Sequence, residues 1–174
     1  MTSTTKLLKR IETEQSCANG YTGRKGNEMK RAEKYHDTET FHYFNANPRN
    51  RITTDCVFRA IARATEIPYN DVVKGLAELH CLTGYECTDK RTIDKFLNMH
   101  GWTMHKQPRK ADNTKYTGKE FCLRLQAFDN TLPESYNARY IANVGGNHMV
   151  AIVNGQINDI WDSTGGCIGN YWTK

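Results

Sequence analysis

Long apolar runs are missing from this chain. None reaches the roughly twenty residues that a bilayer-crossing helix needs, so no membrane association is expected. The opening residues, Met1-Thr2-Ser3-Thr4-Thr5-Lys6-Leu7-Leu8-Lys9-Arg10, contain no apolar h-region. No secretory signal is expected, and the protein is read as cytoplasmic. Six cysteines without such a signal do not predict a disulfide framework. Neither a P-loop nor a dinucleotide-binding glycine pattern occurs. His80, Cys81 and Cys87 lie close together, but Cys-x5-Cys is not a zinc spacing and a second ligand pair is lacking. No metal and no cofactor is therefore expected. Internal repeats and low-complexity tracts are also absent. Charge of one sign is in small excess: a net +5 permits contact with nucleic acid or an acidic partner and demands neither.

What is present suits one domain. Of 174 residues, 38% are hydrophobic and 25% charged, enough for a core with a polar surface. Residues 1–44 read as a polar, basic, partly ordered extension, with a turn-rich stretch around Gly20, Gly23 and Gly26 and a short surface helix over 28–34. Its basic and aromatic residues suit a solvated face with a few core anchors better than a nucleic-acid surface. Periodicity predicts helices over 53–64, 71–82 (capped by Asn70), 89–100 (ending at Gly101) and 118–127. After residue 138 the period becomes extended. Strands are expected over 140–144, 148–152 and 157–161, the last two forming a hairpin around Asn154-Gly155. Short strands over 102–104 and, as an edge, 167–172 complete the pattern. Helices first and antiparallel strands last predict an α+β fold.

The stretch Thr53-Thr54-Asp55-Cys56-Val57-Phe58-Arg59-Ala60-Ile61-Ala62-Arg63-Ala64 carries the first chemical signal. Val57, Ala60, Ile61 and Ala64 mark a buried helical face, and Asp55 or Thr54 can cap its start. Cys56 then lies at the positive end of a buried helix, which favours the nucleophilic thiolate over the thiol.

His148 opens a strand directly after Gly145-Gly146-Asn147 and is a candidate base for Cys56. A third member must orient the imidazole from its far nitrogen, and both Asp159 and Asp162 are placed to do so. A two-residue Asn154-Gly155 turn puts Trp161 opposite His148 and Asp159 diagonal to it. A three-residue turn, or an equivalent bulge, puts Asp162 opposite instead. Spacing does not separate the two. For an oxyanion, the donors are the Cys56 N–H and the side-chain amide of Asn50, with Asn47 a second choice.

These motifs, in this order, resemble the papain-like superfamily of thiol hydrolases. The segments Asp55-Cys56-Val57-Phe58-Arg59-Ala60-Ile61-Ala62, Asn147-His148-Met149-Val150-Ala151-Ile152-Val153-Asn154-Gly155 and Asp159-Ile160-Trp161-Asp162-Ser163 look like small uncharacterised papain-like proteins of bacteriophages and bacteria. The resemblance implies a papain-like domain over 45–174, with N-terminal helices carrying the nucleophile against a C-terminal antiparallel sheet. It implies a Cys-His-Asp triad of Cys56, His148 and, because that residue tends to end the strand before a small polar one, Asp162. It also implies hydrolysis of a peptide, isopeptide or other amide bond in a protein or peptide-like substrate, in a host cytoplasm if the source is a phage. The competing expectation is a non-enzymatic module that binds protein or nucleic acid and carries a degenerate site.

Overall fold

The alternating apolar pattern after residue 138 does build the centre of the fold. The computed structural model describes residues 31–129 and 138–174. Strand β3 (Arg139–Val144) runs antiparallel to β4 (His148–Val153), and β4 to β5 (Gln156–Asp159). Asn154 and Gly155 both have positive φ, 51° and 72°, and Val153 pairs with Gln156. That is the tight two-residue hairpin turn, whose twist matches the flanking strands. The C-terminal strand β6 (Ile168–Thr173) is not an edge. It lies between β3 and the short β2 (Thr103–His105), so both its ladders are filled. At the far side, β1 (Phe41–Tyr43) pairs with β5 in parallel. The order β1-β5-β4-β3-β6-β2 is therefore a mixed sheet, where a purely antiparallel one was expected.

Both faces of the sheet are covered, which explains the nearly unbroken apolar run Met149-Val150-Ala151-Ile152-Val153 in β4. On one face Ile141, Met149, Ala151, Val153 and Trp172 pack against helices α1 (Cys56–Thr65), α2 (Tyr69–Thr83) and α3 (Lys90–Met99). On the other, Tyr140, Ala142, Val150, Ile152 and Ile157 meet Phe121, Cys122 and Leu125 of α4 (Gly118–Asp129). Gly118 lets α4 start close to the sheet: a Cβ there would lie 2.9 Å from Ile157 Cδ1 and 3.0 Å from the Thr164 backbone. The class is α+β, as the order of sequence patterns predicts. Among the described residues no helix is long and apolar enough to cross a membrane.

Helix boundaries follow local chemistry. Asp89 caps α3 by accepting from the Arg91 N–H at 2.8 Å. Helix α2 starts at Tyr69 rather than at the expected Asn70 cap, because Pro68 presets the chain and its carbonyl accepts from Asp71 and Val72. The expected helix over 28–34 is described only from Arg31, where the backbone is helical to Lys34. A few core anchors were expected within residues 1–44, and Phe41 is one. Phe41 is fully buried between α4 and β5, so β1 already belongs to the packed unit.

Phe41→Ala should therefore cost about 3–5 kcal/mol, the usual penalty for emptying a buried aromatic site. Urea unfolding checks it, read as a fall in the midpoint. A residue in a loosely attached extension would change stability by less than about 0.5 kcal/mol.

Candidate active site

Cys56 is the first residue of α1, and the residue before it sets the local geometry. Asp55 occupies the N-cap position, but its side chain does not cap the helix, contrary to expectation. It points inward instead. One oxygen takes Arg59, four residues on; the other accepts from Asn47 Nδ2 at 2.8 Å and from the Tyr69 hydroxyl at 2.7 Å. Charge-assisted bonds to a buried guanidinium outweigh one bond to a helix N–H. The first-turn N–H groups of α1 are thus left without a side-chain cap beside the Cys56 sulfur.

His148 opens β4, as expected. The tight turn fixes what faces it: the register Val153↔Gln156, Ile152↔Ile157, Ala151↔Asn158, continued along the strands, brings Trp161 opposite His148 and Asp159 diagonal on the same side. His148 Nε2 and Asp159 Oδ2 are 2.5 Å apart, and the Asp159 side chain is almost wholly buried. This leaves Nδ1 as the nitrogen available to Cys56, which lines the same groove. The Trp161 ring lies 4.8 Å from the imidazole, tilted by 45°.

Asp162, the expected third member, is not placed to orient His148. It is exposed, and its Oδ1 accepts from the Thr164 N–H at 2.9 Å and the Thr164 hydroxyl at 2.6 Å. A three-residue turn was needed to swing it across, and Asn154-Gly155 closes in two. The oxyanion expectation needs a similar correction. Asn50 is exposed, has a positive φ of 49° and donates its backbone N–H to the Asn47 carbonyl, as a turn residue. Asn47 is buried, but it donates to Asp55 and accepts from the Arg49 N–H. Of the expected donors, only the Cys56 backbone N–H stays at the sulfur.

Arg59 was not foreseen as a site residue. It is 5% exposed and lies between two carboxylates: Nη1 meets Asp55 and Nη2 lies 3.1 Å from Asp159 Oδ1. It therefore grips the aspartate that grips His148. The signal was in the sequence: an Asp55/Arg59 pair at i,i+4 that brackets the cysteine within a buried segment.

The electrostatics follow from this chain of contacts. At Cys56, burial opposes the thiolate. The His148 hydrogen bond, the Met149 backbone N–H and the imidazolium charge overcome it and hold the thiol below its ordinary range. At His148, burial opposes the cation, but bonds to Asp159 and Cys56 push it up to about 9. Both shifts favour the thiolate–imidazolium form of the pair over the neutral one. Cys122, buried in the other core with no such partner, is pushed up to about 12 by desolvation.

The pair faces a groove of about 900 Å3, walled by Ile52, Thr53, Thr54, Asn147 and Trp161. A smaller cleft of about 440 Å3 adjoins it, sharing Asn147, His148 and Trp161, and has Asp162 in its lining. Among the described residues no group of three or more His, Cys, Asp or Glu side chains is placed to hold a metal ion. Comparison of the chain with protein-family models, curated proteins and solved structures gives no match.

Two outcomes follow. Iodoacetamide should label Cys56 faster than exposed Cys81 and Cys167 near neutral pH, because its thiolate persists below the usual thiol range of about 8.5. His148→Ala leaves only the Met149 backbone N–H against desolvation, so the rise of the labelling rate with pH should move upward, as read by mass spectrometry. Separately, Arg59→Met strands Asp55 and Asp159 without their shared cation. It should cost about 3–5 kcal/mol in urea unfolding, and adding Asp55→Asn should recover part of that loss.

Proposed function

We propose that this protein is a papain-like cysteine hydrolase that cleaves an amide, isopeptide or related acyl bond, with Cys56, His148 and Asp159 as its triad. The observation that supports the reading is that Cys56 and His148 line one open groove, with Asp159 bonded to the far side of the imidazole. The chain order of a nucleophile helix, a histidine opening a strand and an acid on the returning strand is the order the resemblance implies. A nucleophilic thiol kept reduced fits the expected cytoplasmic setting.

The chemistry runs through four groups. The Cys56 thiolate attacks the substrate carbonyl carbon, and the carbonyl electron pair moves onto oxygen. The uncapped N–H groups at the start of α1 receive that oxyanion. As the tetrahedral species collapses, the bond to the leaving amine breaks, and His148 gives that nitrogen its Nδ1 proton. A thioester at Cys56 remains. Water then attacks it, losing a proton to His148, and the thiolate departs with the acid product released. Asp159 holds Nε2–H, fixes which nitrogen faces the sulfur, and stabilises the imidazolium. Arg59 keeps Asp159 in place from the opposite side.

Asp159→Asn should lower single-turnover acyl-enzyme formation from an activated ester by about two to four orders of magnitude, while Asp162→Asn leaves it within about threefold. Mass at Cys56 reads both. Equal losses in the two variants, or none in either, would reject Asp159 as the orienting acid. On the alkaline side turnover should fall as His148 gives up its proton near pH 9, since the leaving amine then lacks its donor.

A further inference from the structure

The groove beside Cys56 has a one-signed lining. Arg31, Arg59 and Lys90 line it, and among the described residues its lining contains no aspartate or glutamate. The three cations are not equivalent. Arg59 is buried and spent on Asp55 and Asp159. Arg31 is half-buried and Lys90 exposed, and among the described residues neither has an ion-pair partner. The neighbouring Asp89 does not neutralise them: its carboxylate is held by the Arg91 side chain at 2.8 and 2.9 Å. The threonine and asparagine walls, Thr53, Thr54, Thr88, Asn143 and Asn147, are neutral donors as well as acceptors. Low-dielectric walls with fixed charge of one sign raise the local concentration of a ligand of the other sign. Asp162 belongs to the adjoining cleft, so the anionic group would lie on the Arg31/Lys90 side of the imidazole.

We propose that the substrate of this site is an acidic peptide segment, with an aspartate or glutamate side chain flanking the scissile acyl bond and held by Arg31 and Lys90. The proposal rests on the thiol-hydrolase reading and adds the substrate class to it. The groove is open and about 900 Å3 in volume, room for a few residues of extended chain on either side of the sulfur.

Two reagents that differ in charge but attack the same sulfur isolate the effect. Iodoacetate carries a carboxylate and iodoacetamide does not; in each, the Cys56 thiolate displaces iodide. The ratio of their rates is taken within each variant, so each protein is its own reference. In Arg31→Glu/Lys90→Glu the iodoacetate-to-iodoacetamide ratio at Cys56 should fall about three- to tenfold at low ionic strength, and the difference should shrink with added salt. Arg31→Gln and Lys90→Gln, which only neutralise, should give intermediate falls. Of two peptidyl chloromethyl ketones alike except for Glu against Gln next to the reactive group, the Glu probe should inactivate the wild type faster and lose its advantage in the double variant. An unchanged ratio with a fast Cys56 overturns the acidic preference alone. Wild-type Cys56 that labels no faster than Cys81 overturns the hydrolase reading, and this one with it. Protection of Cys56 by a single-stranded oligonucleotide, with no preference for the Glu probe, assigns the basic lining to nucleic acid and also overturns the proposal.

Discussion

The buried guanidinium of Arg59 is the contact on which the site depends. It lies at the middle of a row of groups that alternate in sign: Asp55, Arg59, Asp159, His148 and Cys56. Desolvating any one of them alone is costly, and each is tolerable because its neighbour is opposite and within bonding distance. The row also joins parts of the chain a hundred residues apart, since Arg59 is on α1 and Asp159 ends β5. Fixing α1 against that strand end sets where the sulfur and the imidazole meet. Several local departures trace to the same cause. Asp55 leaves the helix cap because Arg59 needs it inside, and Asn47 leaves the groove because Asp55 needs a further donor.

The second constraint is the hairpin turn. Asn154 and Gly155 accept positive φ and close β4 to β5 in two residues. Every pairing downstream follows, including the placement of Asp159 rather than Asp162 beside His148. One more residue in that turn would move the returning strand to the opposite pleat and exchange the roles of the two acids. The tight turn also puts Trp161 against the imidazole, where its ring lines both cavities.

Covering both sheet faces gives this site its rigidity. Helices α1 to α3 press on one face and α4 on the other, so β4 is buried along nearly its whole length and His148 leaves the core only at its first residue. The groove opens where packing stops, at the end of the sheet. The loop before α1, the turn before β4 and the start of α3 meet there. Arg31 and Lys90, without an ion-pair partner among the described residues, lie on that rim.

Local pattern carried much of this. The cysteine at the start of α1, the buried face of that helix, the histidine at a strand start, the Asn154-Gly155 hairpin and the α+β class were all legible, because each depends on residues within a few positions of one another. What required distant segments was not. The register was readable only as two alternatives, and a difference of one turn residue, worth little in local propensity, reassigned the acid from Asp162 to Asp159. Asn50 has the right amide for an oxyanion donor, yet the loop points it to solvent. The parallel pairing of β1 and the interior place of β6 come from long-range pairing that no period announces. Arg59 shows the division most clearly: the sequence determined its i,i+4 partner Asp55, and only tertiary structure brought the second carboxylate, Asp159, because a buried charge takes its partner from whatever part of the fold arrives beside it.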